Sequence, residues 1–376
     1  MDFAFSEEQE MLRRSARDFL AKQCPPKLVR KLMEGEDAYD PALWKRIAEL
    51  GWTALGIPEE YGGVGGFLDL IVVFEEAGRA LLPGPYFATM GLAVPALIES
   101  GTEAQKKEVL GAIASGEARA TLALSEPAGR WDASGITLAA RQQGGGWRLD
   151  GVKQFVPDAA GADYIVVAAR TRAEGEDGIS LFLVKGRPKG MTVTPLKTMD
   201  MTRRWSEIRF DGLDLDADAL MGAAHTAWPR LKRALEWSSS ALCAEMVGGE
   251  QKVLEMSTEY AKTRQQFGKP IGIYQAVSHR VADMLVLTES SKSATYYAAW
   301  AVEADAADRS LASSIAKAYV SDAYRKVAGD GIQVHGGIGF TWEHDMHLYF
   351  KRAKSSEVTL GDATYHRELV AQALDL

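Results

Sequence analysis

Cysteine is scarce in this chain, and long apolar runs are missing. Its 376 residues include only Cys24 and Cys243, which lie far apart and are too few for a disulfide framework or a cysteine metal site. No run of about 18 uncharged apolar residues is present, so a membrane-spanning helix is not expected. The first residues are acidic and lack the basic and apolar segments of a secretory signal, which favours a cytoplasmic protein.

An excess of positive charge is also missing. The sequence has 43 lysines and arginines against 51 aspartates and glutamates, a formal net charge of -8 at pH 7. A chain of this sign has no general attraction for nucleic acid or anionic membranes, so neither is an expected partner. What is present is an ordinary globular composition, 47% hydrophobic and 25% charged, over a length sufficient for two or three domains.

Helix signals dominate the first third of the sequence. Ser6 followed by Gln9 predicts a capping box at the start of the first helix. Asp40 before Pro41 predicts a second helix start, and Gly51 predicts the end of that helix. These signals indicate a helical N-terminal region.

The apolar period changes to two at about residue 120. This change predicts strands at 121–125, 147–149, 152–156, 164–169, 179–184, 191–195 and 206–210. Helical patterns return on an apolar stripe over 235–260 and at 277–304 and 311–328. The order predicts an α+β fold with an N-terminal helical domain at 1–118, a middle antiparallel β-barrel or sandwich at 119–222, and a C-terminal helical bundle at 223–376.

Four segments carry a resemblance to one family. They are residues 49–63 (ELGWTALGIPEEYGG), 124–127 (LSEP), 260–275 (YAKTRQQFGKPIGIYQ) and 333–340 (QVHGGIGF). In this order and at these separations they resemble the acyl-CoA dehydrogenase family over essentially the whole chain. The resemblance implies a C-terminal four-helix bundle, a tetramer, and FAD held between the middle and C-terminal domains and a neighbouring subunit. It also implies an acyl-CoA thioester as substrate and an electron-transfer flavoprotein or similar acceptor as partner.

The resemblance assigns individual residues to the flavin. Ser125 stands where the family has a hydroxyl near the flavin ring, and Phe155 keeps an aromatic wall beside it. The remaining matched contacts are Arg264, Gln266 and Phe267, which reach the adenine and pyrophosphate of a neighbour's FAD, and Gln275, Gln333, Val334 and Gly337. Arginine suits a diphosphate because its rigid fork gives bidentate, charge-assisted bonds. Glycine suits a place where the backbone approaches the cofactor.

Three departures from the family pattern stand out. Leu360 occupies the position of the usual glutamate, which takes the α-proton of the substrate while hydride leaves the β-carbon for the flavin. Pro157 replaces a threonine and supplies neither a hydroxyl nor an N–H for the flavin. Residues 126–132 (EPAGRWD) form a shortened version of a longer signature and lack its serine.

A replacement base is sought among three carboxylates and a partner chain. Glu245 is the main candidate, because it interrupts an apolar run and no cation lies within four positions of it in sequence. Gly248 and Gly249 give its helix a face of small residues on which a ligand or another helix can lie close. The alternative interpretation, a buried structural carboxylate paired with a neighbouring helix, stays open. Glu236 lies near basic residues, and Asp362 is expected to cap a helix or to bond within its loop.

No metal is expected in this chain. The spacing of His344 and His347 is compatible with metal ligands, but the resemblance places both on a loop and helix that pack around the flavin site. We interpret them as core or surface histidines.

Three functions are compatible with these features. The first is an FAD-dependent acyl-CoA dehydrogenase acting as one half of an α2β2 assembly, on a bulky or dicarboxylic acyl group such as a steroid side chain. The second is a homotetrameric dehydrogenase with Glu245 as a relocated base. The third is a catalytically silent scaffold that completes the FAD site of a partner through Arg264 and Gln333.

Overall fold

The structure is a computed structural model that describes residues 5–35, 39–172 and 175–376. The helices in these ranges are α1 (Glu7–Gln23), α2 (Pro26–Glu34), α3 (Pro41–Glu49), α4 (Phe67–Arg79), α5 (Val94–Ser100), α6 (Glu103–Gln105), α7 (Gly111–Ala114), α8 (Ala227–Thr263), α9 (Gln275–Glu303), α10 (Arg309–His335), α11 (Met346–Val358) and α12 (Ala363–Ala373). The strands are β1 (Ala120–Ala123), β2 (Ala139–Gln143), β3 (Gly146–Pro157), β4 (Tyr164–Arg170), β5 (Ile179–Lys185), β6 (Met191–Leu196), β7 (Trp205–Leu215), β8 (Leu220–Met221), β9 (Gln265–Gln266) and β10 (Lys269–Pro270). Phe87–Ala93 and Lys106–Leu110 are π-helical.

The chain divides into two compact units, and neither is one continuous stretch of sequence. The helical unit consists of Met1–Lys31, Phe67–Leu82 and Ser239–Leu376. The mixed unit consists of Leu32–Gly66 and Pro83–Ser238 and contains the large sheet. Because α1 and α4 belong to the helical unit, the N-terminal helices are shared between the two units.

The helix starts expected from local sequence signals are confirmed. Ser6 Oγ accepts from the backbone N–H of Gln9 at 3.2 Å, and the Gln9 side chain accepts from the Ser6 N–H at 3.0 Å. Asp40 Oδ1 accepts from the backbone N–H of Ala42 at 2.8 Å, with proline at the first helical position. Gly51 has a φ of 76°, the left-handed conformation that ends a helix without strain on a side chain.

The sheet of the mixed unit corrects one part of the fold prediction. Within the described residues its strand order is β6-β7-β3-β2-β4-β5-β8, and β1 pairs with β4. The β1–β4 ladder and a single β2–β4 pair are parallel, whereas the other ladders are antiparallel. The α+β class with helical N- and C-terminal regions is confirmed, but the sheet is mixed. The order of the predicted strands along the chain carries no information about which of them become neighbours.

Several strands differ from those read in the sequence. The predicted strands 147–149 and 152–156 are parts of the single strand β3, in which Gly151 adopts a φ of 143°. The sequence gives no sign of β2, because its residues Ala-Ala-Arg-Gln-Gln are mostly exposed and have low strand propensity. The two short strands β9 and β10 were also missed.

Glycines allow two helices of the helical unit to approach closely. A Cβ built on Gly78 of α4 would lie 1.8 Å from the carbonyl oxygen of Glu245 on α8. A Cβ built on Gly248 of α8 would lie 1.7 Å from the carbonyl oxygen of Glu75 on α4. The small-residue face of α8 is therefore covered by another helix, which was one of the two expectations for it.

No helix within the described ranges combines the length and the apolar character needed to cross a membrane.

Candidate active site

The residues expected to contact FAD fall into two sets, one in each unit. Ser125 and Phe155 lie in the mixed unit, where β1 and β3 end. The helical unit holds the other seven, on the hairpin β9–β10 and at the start of α9 and the end of α10: Arg264, Gln266, Phe267, Gln275, Gln333, Val334 and Gly337. Residues far apart in sequence are thus collected on a few elements of each unit.

Ser125 and Phe155 are adjacent in the mixed unit. Ser125 is buried, and its carbonyl accepts a hydrogen bond from the N–H of Gln154 at 2.9 Å. Phe155, the next residue of β3, is 52% exposed, and its φ of 51° lies in the left-handed region. The register with β7 shifts between Lys153 and Val156, so Phe155 occupies a β-bulge. An exposed aromatic ring on a strained bulge indicates a ligand surface more than a packing role.

Pro157 ends β3 beside this bulge. It is buried, and its carbonyl accepts a hydrogen bond from Thr121 Oγ1 at 2.7 Å. Proline has no N–H and no hydroxyl, so this position donates no hydrogen bond to any ligand.

A buried ion pair next to Ser125 was not anticipated from the sequence. Lys153 Nζ lies 2.7 Å from Glu126 Oε1, and the two side chains are 0% and 4% exposed. Burial lowers the pKa of Lys153 to about 8, although Glu126 opposes the shift. Burial alone would raise the pKa of Glu126, but the Lys153 charge and several hydrogen bonds hold it below its usual value. Both groups are therefore charged at pH 7. No local sequence pattern predicts that they are in contact.

The hairpin β9–β10 presents its tip to solvent. Phe267 and Gly268 have φ values of 53° and 75°, the two left-handed residues that a type I′ turn requires. Phe267 is 92% exposed, and the carbonyl of Gln266 accepts from Tyr274 Oη at 3.1 Å. Arg264 precedes the hairpin and is exposed, and within the described residues its guanidinium has no ion-pair partner.

Gln275 is the exposed first residue of α9. It lines a polar pocket of about 420 Å³ together with Ala276, His279, Arg280, Asp283 and Lys326. Arg280 and Lys326 both pair with Asp330. Because both cations are paired with Asp330 and the lining includes a further carboxylate, Asp283, the pocket suits a polar group more than an isolated anion.

The end of α10 combines exposed backbone with a buried side chain. Gln333 is exposed, whereas Val334 is only 7% exposed, so its side chain packs inside the unit. Gly336 has a φ of 65°, and a Cβ built on Gly337 would meet no atom within 4 Å. Open space beside a glycine backbone permits the close approach expected for a cofactor.

An aromatic stack joins the end of α10 to the end of α8. The rings of His335 and Tyr260 lie 4.5 Å apart and nearly parallel, and His335 Nδ1 donates to the carbonyl of Gly331 at 2.7 Å. The ring of His344 lies 4.6 Å from that of His335. Tyr260, His335 and His344 line part of a groove of about 760 Å³ along the last turns of α8.

The histidines of this region do not form a metal cluster. Within the described parts of the chain, no three His, Cys, Asp or Glu side chains are arranged to hold a metal ion. Burial lowers the pKa of His335, His344 and His347. The three rings are therefore neutral at pH 7, and the rings of His347 and Trp342 lie 4.9 Å apart.

Each set offers groups that a flavin dinucleotide needs. Such a ligand presents two phosphates, which need cations or N–H donors, and two flat ring systems, which need aromatic or apolar faces. Within the described residues, Arg264 offers a cation outside any ion pair, and Phe155 and Phe267 offer exposed aromatic faces. The open backbone at Gly337 adds room for close approach. Ser125 and Phe155 of the mixed unit would lie at the ring of one FAD, whereas the resemblance assigns Arg264 of the helical unit to the diphosphate of a neighbour's FAD.

Glu245 is engaged by an arginine. Arg352 Nη1 of α11 donates to Glu245 Oε1, and the side chains are 2% and 5% exposed. The alternative interpretation of the sequence, a buried carboxylate paired with a neighbouring helix, describes this arrangement. An arginine favours the ionised carboxylate, which a base also requires, so the role of Glu245 in proton transfer stays a prediction.

The loop around Leu360 is held by two buried side chains. Leu360 is 7% exposed and has a φ of 62°, and its carbonyl accepts from His366 Nε2 at 2.9 Å. The carbonyl of Gly361 accepts from Lys317 Nζ at 2.8 Å. Asp362 Oδ1 accepts from the backbone N–H of Tyr365 at 2.8 Å and caps α12, the structural role expected for it.

Comparisons with known proteins agree over the whole chain. The N-terminal, middle and C-terminal domain models of acyl-CoA dehydrogenase match residues 6–117, 121–213 and 228–374. Acyl-CoA dehydrogenase IpdE2 of Mycolicibacterium smegmatis is 34% identical over 358 residues, 95% of this chain and 95% of that protein. The structure of butyryl-CoA dehydrogenase from Megasphaera elsdenii gives a TM-score of 0.93 at 26% identity, covering 100% of both chains. A chain of the ChsE4-ChsE5 complex from Mycobacterium tuberculosis gives 0.89 at 30% identity, covering 100% of this chain and 99% of that one.

Fold, site and matches together define a flavin-dependent oxidoreductase. The chain belongs to the acyl-CoA dehydrogenase family. It is an FAD-dependent enzyme that acts on acyl-CoA thioesters, as the sequence motifs indicated.

Proposed function

We propose that this chain dehydrogenates a bulky or otherwise non-standard acyl-CoA thioester between its α- and β-carbons, as one of two subunit types in a cytoplasmic α2β2 heterotetramer. When bound, FAD accepts the hydride that leaves the thioester. An electron-transfer flavoprotein or a similar acceptor then takes the electrons from the assembly.

The state of the carboxylates carries this proposal. Leu360 cannot ionise, Asp362 is occupied as a helix cap, and Glu245 is occupied by Arg352. Removal of an α-proton needs a positioned base with a free lone pair. A chain in which two of the three candidate carboxylates, Asp362 and Glu245, are engaged in this way is better suited to share a site with a second chain than to act alone.

The comparisons add support for two kinds of subunit. The ChsE4-ChsE5 structure is described as a complex of two named chains, and one of its chains matches this protein along its whole length. Family branches that pair a departing subunit with a more regular one handle bulky or dicarboxylic acyl groups, including steroid side chains. The acyl group proposed here rests on that resemblance.

Glu245 is the base that this chain itself would supply. Its carboxylate is kept ionised by Arg352, so proton transfer would require the carboxylate to leave the guanidinium or to share it. If Glu245 does not take this role, the partner chain supplies the base, with Glu236 and Asp362 as the remaining carboxylates of this chain.

A tagged copy expressed in its native host tests the proposal. We expect it to co-purify with a second acyl-CoA dehydrogenase-family chain at equal stoichiometry, in a yellow particle that substrate bleaches. A yellow homotetramer that is bleached by a thioester without any partner would instead establish the relocated-base enzyme. A yellow complex in which only the partner's own flavin responds to substrate would establish the silent scaffold.

A further inference from the structure

The buried ion pair of the mixed unit has no role in the function described so far. Lys153 is completely buried and Glu126 nearly so. Taking two charges out of water is unfavourable unless good geometry and further hydrogen bonds compensate. The pair therefore calls for a reason beyond stability.

The surroundings of the pair suggest that reason. Two residues after Lys153, β3 bulges and exposes Phe155 in the left-handed region. One residue before Glu126, Ser125 reaches the same end of the sheet. Bulges and strained residues concentrate at functional sites, and they persist only where the surrounding structure holds them.

We propose that the Lys153–Glu126 pair is a positioning device that presets the segments of Ser125 and Phe155 to receive the flavin ring of FAD. The proposal rests on the flavin contact assigned above to Ser125 and Phe155. Neither charged side chain touches the cofactor in this proposal. They act through the backbone that carries the two contact residues.

Lys153 forms hydrogen bonds to the residues on both sides of Ser125. Lys153 Nζ donates to the carbonyl of Leu124 at 2.9 Å and to Glu126 Oε1 at 2.7 Å. The backbone N–H of Gln154 donates to the carbonyl of Ser125 itself at 2.9 Å. Two consecutive residues of β3, Lys153 and Gln154, therefore hold the three residues 124–126 that follow β1.

The glutamate extends this network to a third segment. Glu126 Oε1 accepts from the backbone N–H of Leu138 at 3.0 Å, and Oε2 accepts from that of Thr137 at 2.9 Å. The Thr137 hydroxyl also donates to Oε2. A single carboxylate thus joins residues 124–126, 137–138 and 153–155. The hydrogen bonds to Glu126 also lower its pKa, so the pair stays ionised at pH 7.

A surface pair of the same unit provides a matched control. Lys185 Nζ lies 2.8 Å from Glu108 Oε2, but these side chains are 55% and 46% exposed. Among the residues that the structure describes, this lysine donates to the two oxygens of that carboxylate and to no backbone carbonyl. Lys185→Met removes a cation of the same unit without disturbing the proposed device.

Amide hydrogen exchange in flavin-free protein tests the device directly. In Lys153→Met we expect the amides of Thr137, Leu138 and Gln154 to exchange at least about tenfold faster, because each loses support worth about one buried hydrogen bond. Lys185→Met should leave these amides unchanged. Unchanged exchange in Lys153→Met would overturn the proposal, whatever the protein does with flavin.

The flavin itself gives the second readout. FAD bound to the Lys153→Met assembly should dissociate about tenfold more readily and show a shifted visible absorption band, because the ring meets a less ordered surface. Glu126→Gln keeps an oxygen that accepts from Leu138 but removes the charge, so it should give a smaller change of the same kind. It also serves as the test if Lys153→Met does not fold. An unaltered spectrum and affinity in both variants would refute the proposal.

The double variant separates a specific pair from general damage. Lys153→Met with Glu126→Gln removes the unpaired charge that the single lysine variant leaves behind, so the two changes should be clearly non-additive in exchange rate. Additive effects would show that the residues act independently and would count against the device. If the wild-type assembly bound no FAD, the proposed function would fail, while the exchange experiment would still decide the positioning role.

Discussion

The two units compensate the charge of a buried lysine in different ways. Lys153 of the mixed unit and Lys317 of the helical unit are both fully buried, and burial lowers the pKa of each to about 8. Lys153 meets the carboxylate of Glu126, whereas Lys317 makes no ion pair within the described residues. Similar burial is thus compensated by an opposite charge in one unit and by neutral oxygens in the other.

The partners of Lys317 explain how a charge survives without a counter-ion. Its Nζ donates to Ser321 Oγ at 2.9 Å and to the carbonyls of Ser356, Glu357 and Gly361 at 3.3, 3.1 and 2.8 Å. Two of these carbonyls belong to the last turn of α11, where the helix dipole is negative. The lysine therefore caps a helix and fixes the loop of Leu360 at once.

In the described part of the chain, the helical unit also buries a carboxyl group that forms no ion pair. Glu250 of α8 is fully buried and accepts from Ser291 Oγ at 3.2 Å, and burial raises its pKa well above the usual value. The pKa of Glu250 is therefore shifted upward, whereas that of Glu126 is shifted downward. The comparison teaches that burial alone does not decide the direction of the pKa shift of an acid, because the donors and charges around it also contribute.

The largest expected effect concerns Glu245, the buried carboxylate of α8 with an arginine partner. If Glu245 takes the α-proton, Glu245→Gln in the complete assembly should slow flavin bleaching by substrate about 10²- to 10⁴-fold while flavin and ligand still bind. Stopped-flow absorbance measures this rate. Glu250→Gln is the matched control, since it removes another buried carboxyl group of the same helix and should leave the rate unchanged.

A structural role for Glu245 has a different signature. Loss of the ion pair with Arg352 would then lower the stability of the protein and leave the bleaching rate unchanged. That result would show that the base is Glu236, Asp362 or a residue of the partner chain.

The next prediction compares the two lysines directly. Lys153→Met leaves Glu126 charged, buried and unpaired, so the free energy of unfolding should fall by about 3–5 kcal/mol. Lys317→Met leaves only neutral oxygens unsatisfied and should lower it by about 1–3 kcal/mol. Urea unfolding followed by tryptophan fluorescence gives both values. If the free energy of unfolding fell equally in both variants, or more in Lys317→Met, the ion pair would not be the more important of the two interactions for stability.

A smaller effect is expected at the exposed hairpin of the helical unit. Arg264→Ala should weaken FAD binding about tenfold to a hundredfold, because charge-assisted hydrogen bonds to a diphosphate are worth about 1.5–3 kcal/mol. Lys269→Ala removes another exposed cation of the same hairpin and should have little effect. Unchanged affinity in Arg264→Ala, measured by flavin titration of the apo-assembly, would show the assignment of Arg264 to be wrong.

The last prediction is a pH dependence at the Leu360 loop, which has little effect near neutral pH. Burial, together with the nearby Lys317 charge, lowers the pKa of His366 from 6.5 to about 4. Between these values the unfolded chain binds a proton that the folded chain does not, so this part of the stability is lost as the pH falls. His366→Gln keeps an N–H for the carbonyl of Leu360 but does not titrate.

Unfolding of wild type and His366→Gln at several pH values checks this sign. The stability difference between them should be constant above about pH 6.5 and should shift in favour of the variant as the pH drops toward about 4. Parallel stability curves over the whole range would contradict the assigned pKa shift.

Local sequence signals were sufficient for much of the fold. The caps at Ser6 and Asp40 were predictable because their hydrogen bonds join residues two or three positions apart. The long helices α9 and α10 were found from their apolar patterns, although both begin before the predicted ranges and α10 also ends beyond its range. The strand β2 was not predicted, because its residues are mostly exposed and have low strand propensity. They form a strand because they pair with β3.

The candidate site was only partly predictable for the same reason. The motifs identified the family and its cofactor, and the sequence alone shows that Leu360 cannot be a base. The pairing of Glu126 with Lys153, 27 residues away, has no local signal. The pairing of Glu245 with Arg352 spans 107 residues and has none either.

The sequence by itself determined where the first helices start, that the chain carries the family's flavin motifs, and that residue 360 is apolar. Only the tertiary structure decided which buried charges are paired, which are solvated by neutral oxygens, and which side chains remain free for a ligand. The physical reason is that burial and hydrogen bonding depend on groups brought together by the whole fold. Those groups set the direction of the pKa shifts of Glu126, Glu250 and Lys317, which sequence position alone leaves open.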